Sequence, residues 1–418
     1  MKLSTAFITA IAVHTAAGAA VNTDGALSNE EIIATILENP HLVPPTTYRM
    51  LQAKSSDLQK RQDAPATKSV APKSTVPDVQ DEPAKAWKDA KRRKVRYGPY
   101  RIPPTSEKNF ASEYMNIKGM ADTFAIGAKK PCDGECTILG LVGDIEYADG
   151  KPASNSQGAW FHHAVLLNTG PQVLDGNCGT SKIDNMFMSG NERSMNGYSL
   201  PNAKIKSGYR IHKDDSFVLT TELMNMQDKE QWVWLTISYE YLDGHQPDYK
   251  DGRMLWMSIG PIGIRCGGAA VKSPWGPSNL TLAQQPKLDV FSEHSLPWVA
   301  PRDGWILATG GHMHDGGVNL QVFHNDKLIC TSTPTYAHDG HGMGGMRKRQ
   351  IKGGEKSNDD IDHIKKQEGC NFLEGRPMKK GDTLYIAANY DFKRFPGMKN
   401  KKGELDEVMG ISGSVVAY

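Results

Sequence analysis

The stretch QWVWLTISYEYL, residues 231–242, decides the fold class. It is rich in β-branched and aromatic residues, holds no glycine or proline, and places Trp232 and Trp234 at i and i+2, where side chains share one face of a strand. The same period-two signature recurs in GAWFHHAVLLN (158–168), SFVLTTELMNM (216–226), GWILATGGHMH (304–314), VNLQVFH (318–324), DTLYIAANYDF (382–392) and VMGISGSVVAY (408–418). Clusters of Gly, Asn, Asp and Pro separate these runs. Short strands without interposed helices predict an all-β protein of two antiparallel β-sandwich, jelly-roll-like domains. We place the first over 97–270, a Pro- and Gly-rich linker containing SPWGPSN over 271–300, and the second over 301–418.

The residues ahead of the strands read differently. MKLSTAFITAIAVHTAAGAA, residues 1–20, has a basic Lys2, a short apolar run and a small-residue end, the pattern of a signal peptide, so the chain is expected to be secreted. LSNEEIIATILEN (27–39) carries helical spacing behind a Ser cap and stops before Pro40. Residues 52–96 are rich in Lys, Ala, Pro, Ser and Asp, a composition that predicts too little apolar burial to fold. We read 21–96 as a propeptide or disordered linker, with cleavage expected after Arg61 of the Lys60–Arg61 pair and a second basic run at 91–94. No later run reaches the ~20 apolar residues of a membrane-spanning helix, and SGSVVAY is too short for a lipid-anchor signal. No membrane anchor is expected.

Formal net charge is +2 and the basic residues form no single face, which argues against a nucleic-acid partner and for catalysis or small-ligand binding. Oligomeric state is assigned by nothing in the pattern. Six cysteines, Cys132, Cys136, Cys178, Cys266, Cys330 and Cys370, make an even set that an oxidising compartment would pair, in a connectivity the sequence leaves open. CDGEC at 132–136 has no second Cys/His pair at zinc-finger spacing, so disulfides are the simpler reading. Asn279-Leu-Thr is a glycosylation sequon.

Two histidine motifs could carry chemistry. In GGHMHDGG, His312 and His314 sit at i and i+2 and would aim two imidazoles at one point, although imidazole suits copper, zinc, iron and nickel alike. His162 and His163 are adjacent and would face opposite sides, both otherwise apolar. Each therefore requires a hydrogen-bond partner or a metal, and joint binding of one ion requires a bulge in the strand or different ring nitrogens. The run at 337–350, with His338, His341, Met343 and Met346, is read as a Gly-rich loop.

An adjacent His-His in an early strand, a later His-x-His and a methionine in a closing strand together resemble the copper type II, ascorbate-dependent monooxygenases, which include peptidylglycine α-hydroxylating monooxygenase and dopamine β-monooxygenase. The outline is also similar to that of stress-induced nodulin-like secreted proteins. The likeness covers roughly residues 150–418. The Asp406-Glu407-Val408-Met409 run matches the family's Asp-Glu-Met with one inserted valine. The resemblance implies a catalytic copper on His312, His314 and Met409, where soft sulfur favours copper over zinc. It implies a second copper at His162 and His163, with an external reductant such as ascorbate and a substrate C–H bond hydroxylated by O2.

Two departures qualify this. The family's third histidine of the first site falls on Glu222, which leaves a two-His-one-carboxylate site, recruitment of Met224, Met226 or His212, or loss of the site. The substrate-carboxylate clamp of the peptide-hydroxylating branch falls on Gly310, Ile411 and Gly413, so peptidylglycine is not the expected substrate and a neutral or bulkier molecule is. The competing reading is a non-catalytic, secreted copper-binding or stress-response protein that keeps the fold and one site.

Overall fold

The structure is a computed structural model that describes residues 27–39, 42–57, 69–177, 179, 182–259, 288–338, 362–399, 405 and 408–418. Two helices come first, α1 (Asn29–Glu38) and α2 (Pro45–Asp57), followed by β1 (Val79–Glu82), β2 (Lys91–Ile102), the short α3 (Phe110–Tyr114), β3 (Met120–Ala128) and β4 (Cys136–Glu146). The first half continues with β5 (Ala159–Asn168), β6 (Asp184–Gly190), β7 (Asn196–Gly197), β8 (Ser207–Ile211), β9 (Phe217–Asn225), β10 (Gln231–Asp243) and β11 (Lys250–Ser258). The second holds β12 (Val290–His294), β13 (Trp298–Val299), β14 (Gly304–Met313), β15 (Gly317–His324), β16 (Lys327–Ser332) and β17 (Pro334–His338). It ends with β18 (Asp362–Gln367), β19 (Cys370–Met378), β20 (Thr383–Asp391) and β21 (Gly410–Ala417).

The fold is all-β. β10, the strand of QWVWLTISYEYL, is hydrogen-bonded along its length to β2 on one side and β4 on the other. That position explains its unbroken burial from Val233 to Tyr241. Its sheet runs β1-β2-β10-β4-β8-β11-β21-β14-β19 and faces a four-stranded sheet β3-β9-β5-β6. Val95, Leu141 and Ile237 from the first meet Phe161, Leu166 and Leu219 from the second in one core. A second core joins Leu255, Ile306 and Val416 to Leu320, Val322 and Ile386 of the sheet β12-β20-β15-β16. These two cores are the two sandwiches, in which apolar faces of paired sheets exclude water from each other.

The sandwiches are not separate along the chain. β11 lies within 97–270 yet pairs from Gly252 to Ser258 with β21, so the strand before the linker range is built into the second sandwich. The 21–96 segment also differs from its expectation. α1 forms as the spacing predicts, with Ser28 and Glu31 closing a capping box, and α2 follows it. Ile32, Ile36, Leu42, Val43 and Leu51 from this helical pair pack against Val165, Leu167 and Val218 of the four-stranded sheet. Residues 79–102 form the hairpin β1–β2 although little of β1 is apolar. Arg93 pairs with Asp81, Arg92 with Glu82 and Glu240, and Glu240 also accepts the backbone N–H groups of Lys85, Ala86 and Trp87. Ion pairs and a carboxylate cap order a stretch that composition alone reads as unfolded. Residues 1–26, the Lys60–Arg61 pair and Asn279 lie outside the described residues.

Cys132 bonds Cys136 and Cys330 bonds Cys370, while Cys178 and Cys266 lie outside the described residues. Among those described, no helix is long and apolar enough to cross a membrane.

Candidate metal centre

β5 carries His162 and His163 beside Glu222 of β9. The ladder pairs Phe161 with Leu223 and then His163 with Glu222, so His162 is an extra residue inserted at a bulge. An adjacent pair in a regular strand points to opposite faces; the bulge turns both rings to one side, where their centroids lie 4.2 Å apart. Beneath them, Glu222 Oε2 sits 2.9 Å from Nδ1 of His163 and 3.2 Å from Nδ1 of His162. A carboxylate on Nδ1 assigns the proton to that nitrogen and the lone pair to Nε2 in both rings.

His312 and His314 arrive from the other sandwich. β14 is paired to β21 as far as Met313, with His312 opposite Ile411, and the His314 backbone N–H donates to the Met409 carbonyl. The chain then turns, the Gly317 N–H donating to the His314 carbonyl. Gly316 has φ +98°, and a Cβ there would stand 2.2 Å from the Phe392 ring, so no other residue fits this turn. His312 Nδ1 lies 3.1 Å from Glu192 Oε2, repeating the carboxylate–imidazole arrangement at Glu222.

The structure brings the two motifs together. Ring centroids are 5.4 Å apart for His163 and His312, 5.8 Å for His163 and His314, 6.0 Å for His162 and His314, and 5.6 Å for His312 and His314. Ligand-capable atoms of His162, His163 and His314 lie within 4.8 Å of one another, close enough to grip a common ion. His312 closes the fourth side. Its Nε2 is buried and has no hydrogen-bond partner among the described residues, a costly state for a polar atom unless an ion or ligand meets it. The donor chemistry therefore fits a bound transition metal, with neutral imidazoles for soft-to-borderline ions such as copper or zinc.

Electrostatics keep the cluster in ligating form. Burial, with His162 beside it, pushes the His163 imidazole down to about 4, so this ring is neutral at physiological pH. Burial opposes ionisation of Glu222 and of Glu192, but hydrogen bonds and charge from their histidines prevail and hold both carboxyls below the usual range.

Other expected site residues fall elsewhere. Glu222 takes the Nδ1 side of the rings, an orienting position, and is not one of the converging trio. Met409 shares a face with Ile411, belongs to the apolar cluster of Ile32 and Val165 under α1, and is not among the residues lining the cavity at the histidines; Asp406 and Glu407 lie outside the described residues. The thioethers on the wall of the cavity at the histidines are those of Met224, Met313 and Met398, alongside Trp160 and Phe392. Met226 packs beside Trp160, and His212 sits by Asp215. Side chains at His338, His341, Met343 and Met346 lie outside the described residues. Glu192 and Thr46, whose hydroxyl donates to Glu222 Oε1, had no sequence signal, since neither belongs to a motif.

No protein-family model matches the chain. The backbone is similar to PNGase F, a glycosylasparaginase from Flavobacterium meningosepticum, at 9% identity and a TM-score of 0.31, covering 78% of this chain and 95% of that one; likeness at this level carries no argument. Curated relatives are more informative. The chain is 28% identical over 274 residues to a Cochliobolus lunatus protein named probable copper-dependent oxygenase clz3, covering 65% of this chain and 76% of that one. It is 27% identical over 332 residues to a Phoma sp. protein named probable copper-dependent oxygenase M1, covering 79% of this chain and 74% of that one.

Proposed function

We propose that this chain is a secreted copper-dependent oxygenase, with His162, His163, His312 and His314 holding up to two copper ions, and that it hydroxylates a C–H bond of a small organic substrate with O2 and an external reductant such as ascorbate. The observation that carries this reading is the convergence of four imidazoles from two sandwiches, with His312 Nε2 buried and unpartnered. Imidazoles alone fit zinc as well; the names of the two relatives favour copper. Copper, when bound, supplies the one-electron redox chemistry that O2 activation needs.

The chain's own residues do the rest. Glu222 accepts from both Nδ1 atoms, fixing ring orientation and presenting Nε2 of His162 and His163. Glu192 does the same for His312. Trp160, Met224, Met313 and Phe392 line the space beside the rings with apolar surface that excludes bulk water. Asp315, directly after His314, accepts the Ile364 backbone N–H at 2.9 Å and so anchors the turn that carries His314 to β18.

Copper stoichiometry and ascorbate-driven oxygen consumption test the reading. Wild type is expected to bind copper and consume oxygen faster than free copper, with His163→Ala and His312→Ala losing both. Retained copper in both variants refutes the site, and copper binding without oxygen consumption above that of free copper leaves a copper-binding protein.

A further inference from the structure

Among the described strands, β17 and β18 pair only with each other, a two-stranded ribbon outside the sheets of both sandwiches. Two paired strands are marginal on their own, so what holds this ribbon is where its side chains go. Three of its residues converge on the turn Asp315-Gly316-Gly317 that follows His314. The Tyr336 hydroxyl accepts the Gly316 N–H at 3.0 Å and donates to the Gly317 carbonyl at 2.8 Å. The Ile364 N–H donates to Asp315 Oδ1, and His363 Nδ1 lies 2.5 Å from Asp315 Oδ2. The side chains of His363 and Asp315 are 2% and 5% exposed, so little water competes for this contact.

His363 also reaches the other sandwich. Its ring meets Trp160 edge-on, with centroids 5.2 Å apart and planes at 71°, a geometry that aromatic pairs prefer. Trp160 lies on β5 two residues before His162, is buried, and shares with Asp315 the lining of the cavity at the imidazoles. One side chain therefore touches both the turn after His314 and the strand that carries His162 and His163. β14 itself ends at Met313, so beyond the bond from the His314 N–H to the Met409 carbonyl, the contacts that fix this stretch are those of the turn and the ribbon.

Resting on the oxygenase reading above, we infer that the β17–β18 ribbon is a clasp that sets the spacing of the two histidine pairs, with His363 the positioning residue that joins them. His363 is not one of the converging ligand trio, and its Nδ1 is committed to Asp315, so its part is to hold the frame. A metal site gains affinity when its ligands are already in place before the ion arrives, because less ordering then opposes binding. Here the ligands come from two sandwiches, and Trp160, His363 and Asp315 form a continuous run of contacts from one to the other. Tyr336 keeps the far end of that run, the Gly316-Gly317 backbone, from shifting.

Chelator-competition titrations of the full chain with zinc and with copper, together with the copper electron-spin resonance spectrum, test this. Tyr336→Phe removes both bonds to the turn; His363→Phe keeps an aromatic edge for Trp160 and removes the bond to Asp315. Each is expected to weaken the binding of both ions about tenfold and to change the copper hyperfine splitting, while the thermal midpoint of the metal-free protein stays within a few degrees of wild type. His363→Asn, which keeps an N–H for Asp315, is expected to recover part of the affinity lost in His363→Phe. Wild-type affinity and spectrum in both phenylalanine variants overturn the inference, as does a loss of affinity that only follows a fall in the metal-free midpoint. Zinc affinity that responds to these variants in a protein that takes up no copper defeats the oxygenase reading and leaves the clasp standing. Copper-driven oxygen consumption with affinities indifferent to the variants defeats the clasp alone.

Discussion

The Thr46 hydroxyl donates to Glu222 Oε1 at 2.5 Å, tying the start of α2 to the carboxylate that orients His162 and His163. Thr46 is fully buried, and its neighbour Thr47 donates to Asp122 on β3. With one oxygen held by Thr46, Glu222 has its other oxygen fixed for both rings. Thr46→Val keeps the shape and removes the donor, so it is expected to weaken copper binding about tenfold in a chelator-competition titration while leaving the thermal midpoint within a few degrees. Thr46→Ser should restore the affinity. Loss of stability without loss of affinity in Thr46→Val would reduce this contact to a purely structural one.

Removing the carboxylate itself should act more strongly. In Glu222→Gln the charge that favours ligating histidines disappears, and an amide NH2 replaces the oxygen that accepts from Thr46. Copper affinity is expected to fall about 10- to 100-fold. In Glu222→His a third imidazole would compete for the ion, and the copper electron-spin resonance spectrum should gain nitrogen hyperfine structure only if that ring reaches it. An unchanged spectrum in both variants contradicts the orienting role.

Much of this arrangement was legible in the chain. The strands of QWVWLTISYEYL, GAWFHHAVLLN and GWILATGGHMH fall within a residue of their expected ends, because period-two burial is a local property. A bulge in this strand, one of the two ways local geometry allowed both rings to reach one ion, is present as the register shift between β5 and β9. What the sequence could not express was long-range. The nearness of His162 and His163 to His312 and His314 depends on how β5 and β14 meet across sandwiches, and β11 joins β21 only because residues far apart pair. Ordering of β1 depends on Arg92 and Arg93 finding carboxylates, including one on β10, an effect invisible to composition.

Met409 separates the resemblance from the geometry. Its side chain packs with Ile32, Val165 and Ile411, so Met409→Leu is a near-isosteric core swap costing less than about 1.5 kcal/mol. Copper stoichiometry is expected to be unchanged. Any sulfur shell in the X-ray absorption of the reduced protein should persist in Met409→Leu and disappear instead on replacing Met224, Met313 or Met398. A sulfur shell lost in Met409→Leu would restore the ligand role that the resemblance implies.

Asp184 opens β6 and makes the fold sensitive to pH. It is buried, accepts the Gly176 N–H at 2.8 Å, and has only a 3.5 Å contact with Arg253, whose Nε is engaged by Asp251 at 3.0 Å. Burial therefore outweighs the Arg253 charge and raises the carboxyl to about 6. The unfolded chain releases this proton near pH 4, the folded chain near 6, so between these values the folded state binds more protons. The group's stabilising contribution is complete below about pH 4 and is lost as pH rises through 6, a change on the order of 3 kcal/mol. In urea unfolding of the metal-free protein, Asp184→Asn should flatten that slope, because an amide keeps an acceptor for Gly176 and has no proton to release. A slope of equal size in wild type and Asp184→Asn would place the pH dependence in another group.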